Sequence, residues 1–134
     1  MAQEPRSKVL YADGNDEQRT YYAGLLRRNY EVVEAETEER ALALSKEVDI
    51  VVLDIDLKEG NGLNLIGQLL ALNSRLPVII HTIRDAASMH QNTFMTWAAD
   101  EYVIKQPDGV ELMASVRKVN EKRLREKRNP SAAI

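Results

Sequence analysis

The sequence predicts an α/β fold, a doubly wound parallel sheet with helices on both faces. Three observations carry this prediction. Strand patterns alternate five times with helical patterns along the 134 residues. The connections between them are short, as they are in β-α-β units. The run from Ile50 to Leu53 is entirely apolar, which is typical of a strand buried on both faces of a parallel sheet.

The N-terminal part of the chain contains two β-α units. Lys8–Ala12 is a predicted first strand, and it ends in a turn signal, Asp13 to Asp16, that supplies N-cap candidates. A first helix is expected over 16–29. Glu31–Ala35 alternates polar and apolar residues, as an outer strand does. Thr37 is the predicted N-cap of the second helix.

The remaining three units begin with the central strand, Ile50–Leu53. Apolar residues at helical spacing predict a helix over 62–72. Pro77 opens a fourth strand that ends at Thr82, and a weaker, more polar helix is expected over 85–98. A fifth strand over 101–104 precedes a long last helix, 108–128. Five strands of this kind fit the flavodoxin-like (βα)5 fold with strand order 2-1-3-4-5.

Composition favours one soluble domain, with 44% apolar and 29% charged residues. We expect a flexible N-terminus over 1–7, the domain over 8–120, and a basic helical extension and tail over 121–134. Residues 117–128 carry a charge of +5, which leaves −8 on the rest and argues against direct nucleic-acid binding. The lack of cysteine, of a signal peptide and of long apolar runs predicts a cytoplasmic protein without membrane insertion.

The candidate site follows from the strand order. In a sheet of this order, ligands bind at the carboxyl ends of strands one and three. Asp13 follows the first strand and Asp54 follows the third. Two acids from distant parts of the chain are therefore expected at one crevice, which favours a functional Asp54 over a simple strand cap.

The polar residues at the strand ends resemble those of the receiver domain of two-component response regulators, across residues 8 to about 120. The residues that carry the resemblance are Asp13, Asp54, the loop K-E-G-N-G-L, Thr82, Tyr102 and Lys105. The stretch F-M-T-W-A-A-D-E-Y-V-I-K resembles a subgroup of receivers with tryptophan in the fourth helix.

The resemblance implies a signalling module rather than an enzyme. Asp54 would accept a phosphoryl group from a histidine kinase, a phosphotransfer protein or a small phosphodonor. A carboxylate is a competent acceptor that forms an acyl phosphate. Thr82 and Lys105 would contact the phosphoryl oxygens. Asp13 and Asp54 would hold Mg²⁺, which prefers hard oxygen ligands.

Two departures from the family pattern affect the site. The family usually carries a second acid after strand one, where this chain has Gly14. Weaker Mg²⁺ binding is therefore expected, with the Asp56 carboxylate as a compensating ligand and Gly14→Asp as a strengthening change. Ile83, directly after Thr82, is bulkier than the usual small residue and is expected to narrow the entrance to Asp54.

Three functions remain open on these residues. The first is a phosphorylation-operated receiver. The second is a pseudo-receiver that binds partners independently of phosphorylation, which Gly14 and Ile83 favour. The third is a flavin-binding electron carrier of similar fold, which the acidic segment from Asp13 to Asp16 disfavours because it would repel a phosphate.

The resemblance also implies an output surface. Thr82 would move toward a phosphoryl group, and Tyr102 would fill the space it leaves. The surface that changes would be the predicted fourth helix with Trp97, the fifth strand and the last helix. A downstream output protein, or a second copy of the chain, would bind there. His81 is interpreted as a structural residue on the opposite face of its strand from Thr82.

Overall fold

The computed structural model describes residues 6–83 and 98–129. Its strands are β1 (Lys8–Ala12), β2 (Glu31–Ala35), β3 (Ile50–Leu53), β4 (Val78–Thr82) and β5 (Glu101–Ile104). Its helices are α1 (Asp16–Leu26), α2 (Glu38–Leu44), α3 (Gly62–Leu72) and the C-terminal helix (Val110–Arg128), with a short 3-10 helix over Ser45–Glu47. Trp97 and nearly all of the helix predicted over 85–98 lie outside the described residues.

Within the described residues, the predicted elements are confirmed, with small differences at helix ends. Thr37 caps α2 as predicted, since its side chain accepts a hydrogen bond from the Arg40 amide. The helix α1 ends at Leu26, three residues early, because the chain tightens there into a turn that leads to β2. The C-terminal helix begins at Val110, since Gly109 adopts a left-handed conformation with φ of 67°.

The sheet has the predicted order, β2-β1-β3-β4-β5, and all its neighbouring strands are parallel. Ala12 at the end of β1 is in register with Leu53 at the end of β3. Thr82 at the end of β4 is in register with Ile104 at the end of β5. The residues that directly follow β1, β3 and β5 therefore meet at one edge of the sheet.

Helices cover both faces of the sheet, and each face has its own apolar cluster. One cluster joins the strands to α2 and α3 through residues such as Leu53, Leu65 and Ile66, and Tyr102 packs against its margin. The other joins the strands to α1 and the C-terminal helix. Every residue of β3 is fully buried, as predicted for the central strand. Within the described ranges no helix is both long enough and apolar enough to cross a membrane.

His81 is a buried polar residue that contacts Tyr11 and Tyr22 of the second cluster. Its Nδ1 is hydrogen-bonded to the Tyr11 hydroxyl at 2.8 Å, and its ring meets the Tyr22 ring edge-on with centroids 4.6 Å apart. In the described part of the chain its Nε2 has no hydrogen-bond partner. Burial, with a smaller effect of the Lys105 charge, lowers the pKa of His81 to about 3. A neutral, buried imidazole supports the structural interpretation of this residue.

The loop between β3 and α3 lies directly over Gly14. The Gly14 amide donates to the Asp56 carbonyl at 3.0 Å. A Cβ atom added at Gly14 would lie 2.8 Å from both the Asp56 carbonyl oxygen and the Lys58 amide nitrogen. Lys58 also ties the loop to neighbouring segments, because its ammonium bonds Asp16 and Glu36 at 2.8 and 2.9 Å. The absence of a side chain at Gly14 is thus a packing requirement of this loop.

The His81 environment predicts a specific pH dependence of stability. Because the pKa of His81 is lower in the folded protein than the ordinary value near 6.5, its contribution is present above that pH. It is lost as the pH falls toward 3, by at most about 1.4 kcal/mol per pH unit. In His81→Gln, urea unfolding between pH 7 and 4 should show a shallower loss of stability than the wild type. Parallel pH profiles of the two proteins would contradict this account.

The loop over Gly14 predicts that any side chain there destabilises the fold. Gly14→Ala and Gly14→Asp should each lower the free energy of unfolding by roughly 1–3 kcal/mol, because backbone must move to admit the Cβ. This revises the expectation that Gly14→Asp simply adds a metal ligand. Gly24→Ala is the matched control, since a Cβ there meets nothing within 4 Å. That change should stabilise α1 by about 0.5–1 kcal/mol. Equal stability of Gly14→Ala and Gly24→Ala in urea would exclude the close approach.

Candidate functional site

Three charged side chains meet at the carboxyl edge of the sheet. Asp13 follows β1, Asp54 follows β3 and Lys105 follows β5. The Lys105 ammonium donates to Asp13 Oδ2 at 2.6 Å and to Asp54 Oδ2 at 2.6 Å. The side chains of Asp13, Asp54 and Lys105 are 1%, 5% and 3% exposed. These three residues, predicted from separate motifs, form one buried ion cluster.

Each carboxylate is oriented by the loop that follows it. Asp13 Oδ1 accepts from the Asn15 amide at 2.9 Å, and Asp54 Oδ1 accepts from the Asp56 amide at 3.1 Å. In both residues one oxygen is therefore held by backbone, and the other is held by Lys105. Charged hydrogen bonds of this kind fix geometry as well as charge.

Gln18 is a member of the cluster that the sequence motifs did not identify. It lies in the first turn of α1, and its Oε1 accepts a hydrogen bond from the Lys105 ammonium. The available signal was positional, because helical side chains point back toward the N-terminus of their helix. Since α1 begins at Asp16, shortly after the carboxyl end of β1, the Gln18 side chain points toward the site.

The cluster carries one more negative than positive charge. Burial alone lowers the pKa of Lys105, but its hydrogen bonds and attraction to Asp13 and Asp54 outweigh that effect and raise the pKa above the ordinary value. Burial raises the pKa of Asp13, although Lys105 and the Asn15 amide offset part of the change. A buried net negative charge favours uptake of an additional cation.

Thr82 and Ile83 occupy different environments beside the cluster. Thr82 is completely buried, and its carbonyl accepts from the Lys105 amide at 2.8 Å. Ile83 is 67% exposed, and it lies at the rim of an open pocket of about 350 Å³ whose lining includes Asp13 and Asp54. Ile83 thus lines the pocket that contains Asp54, and its narrowing of the approach stays a prediction.

Asp56 lines the same pocket, but its side chain is exposed. Its backbone is engaged on both sides, since the amide donates to Asp54 and the carbonyl accepts from Gly14. Across residues 6–83 and 98–129, no group of three acidic, histidine or cysteine side chains is placed to hold a metal ion. The Asp56 carboxylate therefore does not join Asp13 and Asp54 in this arrangement, and its role as a ligand stays a prediction.

The donor set nevertheless fits a hard divalent cation such as Mg²⁺. Carboxylate and amide oxygens of Asp13, Asp54 and Gln18 already converge on a cation, the Lys105 ammonium. Mg²⁺ is bound in proteins by one or two carboxylates together with water and substrate oxygens. The open pocket leaves room for that water.

Comparison with known proteins identifies the family. The protein-family model described as the response regulator receiver domain matches residues 9–117 of this chain. The probable transcriptional regulatory protein SilR of Salmonella typhimurium is 34% identical over 76 residues, which are 57% of this chain and 33% of that protein. The chain thus spans about a third of the length of this relative.

Solved structures agree in fold. The response regulator protein TrrA from Thermotoga maritima, in complex with Mg²⁺-BeF, superposes with a TM-score of 0.75 at 30% identity, covering 84% of this chain and 98% of that one. The Vibrio cholerae chemotaxis protein CheY4 has a TM-score of 0.75 at 19% identity, with coverages of 85% and 98%. The chain therefore belongs to the response regulator receiver domain family, the signalling modules of two-component systems.

Proposed function

We propose that this chain is a phosphorylation-operated receiver in which Asp54 is the phosphoacceptor. The single observation that carries the proposal is the buried cluster in which the carboxylates of Asp13 and Asp54 share the Lys105 ammonium. The donor would be a histidine kinase, a phosphotransfer protein or a small phosphodonor, and the protein would act in the cytoplasm.

The proposed reaction is a transfer to the Asp54 carboxylate. One carboxylate oxygen forms a bond to phosphorus, and the bond from phosphorus to the donor breaks. Its electron pair leaves with the donor group, such as acetate or the imidazole of a kinase histidine. The product is an acyl phosphate. Since the transition state is loose, catalysis consists mainly of positioning and charge neutralisation.

Residues of the ion cluster would supply both the positioning and the charge neutralisation. The Asp56 amide orients Asp54, and Lys105 places a fixed positive charge 2.6 Å from one carboxylate oxygen. Mg²⁺, when bound at Asp13 and Asp54, would supply further charge neutralisation. TrrA, which is 30% identical, was solved with Mg²⁺-BeF, and this supports a similar chemistry here.

The output would be a change of partner binding at the face formed by the predicted fourth helix, β5 and the C-terminal helix. Tyr102 lies on β5, half-buried against the apolar cluster that includes α2 and α3. It lies two residues before the end of β5, which Lys105 follows. Thr82 is the neighbouring strand's last residue. Their placement on adjacent strands supports coupling between Asp54 and this face. The partner would be an output protein or a second copy of the chain.

A pseudo-receiver remains the second candidate, and one observation favours it. The loop after β3 fills the space beside Gly14 in which the family's second acid would stand. Partner binding would then be independent of phosphorylation. The flavin-carrier hypothesis loses its support, because the family match extends over residues 9–117.

Acetyl phosphate with Mg²⁺ should add one phosphoryl group to the protein, and intact-mass measurement should detect it. Asp54→Asn should abolish the adduct, because an amide is not an acceptor. Glu59→Gln, at an exposed acid of the same loop, is the matched control and should still be modified. An adduct that persists in Asp54→Asn would contradict the assignment. The lack of an adduct on a Mg²⁺-loaded wild type would favour the pseudo-receiver.

Beryllofluoride with Mg²⁺ should change amide-hydrogen exchange across 82–119 in the wild type. Thr82→Ala should still bind beryllofluoride at Asp54, because Asp13 and Lys105 are retained, but it should lose most of the change in exchange. The hydroxyl is the group proposed to carry the signal. Unchanged exchange in the wild type, with beryllofluoride demonstrably bound, would mean that the protein does not switch through this face.

A further inference from the structure

The Lys105 ammonium has three N–H groups and, in the described part of the chain, three oxygen acceptors. Two are carboxylate oxygens of Asp13 and Asp54, which the receiver motif accounts for. The third is the amide oxygen of Gln18, which no motif of this sequence accounts for. Three oxygens from three separate segments therefore surround one cation.

Hydrogen bonds of the first turn of α1 hold Gln18 beside Lys105 and Asp13. Its backbone amide donates to Asn15 Oδ1 at 3.0 Å, and the Asn15 amide donates to Asp13 Oδ1 at 2.9 Å. Arg19 Nη1 also donates to the Asp13 carbonyl at 3.0 Å. The first turn of α1 is thus tied to Asp13 at several points, so Gln18 keeps its position relative to that carboxylate.

The role of Gln18 follows from the packing at Gly14, where an acidic side chain would force the backbone of the neighbouring loop to move. A Cβ at Gly14 would lie 2.8 Å from backbone atoms of the loop after β3. The site therefore has two buried carboxylates, and any further protein oxygen comes from a residue other than residue 14. Gln18 Oε1 is a protein oxygen that accepts from the same ammonium that the two carboxylates share.

We propose that Gln18 Oε1 is a ligand of the divalent cation, completing with Asp13 and Asp54 an oxygen donor set in place of the carboxylate missing at Gly14. The inference rests on the proposed Mg²⁺-assisted function of the same site. An amide oxygen is a hard but neutral ligand, so it binds Mg²⁺ less strongly than a carboxylate.

The test is calorimetric titration of the full chain with Mg²⁺, in the wild type and in Gln18→Leu and Gln18→Glu. Loss of the oxygen in Gln18→Leu should raise the Kd about 10-fold. A carboxylate in Gln18→Glu should lower the Kd by about 10-fold, since it restores the third anionic ligand. Thr20→Leu and Thr20→Glu are matched controls on an exposed position of α1, and their Kd should stay within about 2-fold of the wild type, because exposed charges at a distance are screened.

Several results would overturn the inference. The first is a Kd of Gln18→Leu that equals or falls below that of the wild type. The second is a Kd of Gln18→Glu that equals that of Thr20→Glu. The third is an absence of Mg²⁺ binding in both the wild type and Gln18→Glu. Binding that appears only in Gln18→Glu would also overturn it, because the amide oxygen of the wild type would then not hold the cation.

Acetyl phosphate labelling of the same variants separates the two proposals. If Asp54 is labelled and the Gln18 substitutions leave the Mg²⁺ affinity unchanged, this inference alone is overturned. Gln18-dependent Mg²⁺ binding without labelling would overturn the proposed function alone.

Discussion

The sharing of one ammonium by two buried carboxylates is the interaction on which the site depends. Lys105 stands 2.6 Å from both Asp13 and Asp54, and all three side chains are almost fully buried. Removing one member of a buried ion cluster leaves the others uncompensated, which is strongly unfavourable. In the proposed function, a cation or a phosphoryl group that enters the site would rearrange the contacts of Lys105, which directly follows β5.

The loop after β3 is the second constraint, and it acts on the same cluster. It orients Asp54 through the Asp56 amide, and it closes over Gly14. Lys58 anchors the loop to the start of α1, where Gln18 lies. This chain lacks the family's usual second acid at Gly14, and both Gly14 and Gln18 line the same pocket as Asp56 and Lys58 of this loop.

The sequence was sufficient to predict the strands, the sheet order and the meeting of Asp13 and Asp54, from periodicity and from the rule that ligands bind where parallel strands end at one edge. Lys105 was expected at the same site through the resemblance to receiver domains. Gln18 and the close approach at Gly14 were missed because both depend on how loops and a helix start pack in three dimensions. The Asp56 carboxylate stays a predicted metal ligand: the residue is exposed and lines the pocket, and its backbone amide donates to Asp54.

The most direct test of the account is a crystal structure of the protein grown with Mg²⁺ and beryllofluoride. The account predicts beryllofluoride on an Asp54 carboxylate oxygen, the Lys105 ammonium donating to fluoride, and Mg²⁺ in contact with Asp13. Beryllofluoride absent from Asp54, with Lys105 still bridging Asp13 and Asp54 at saturating Mg²⁺, would contradict it.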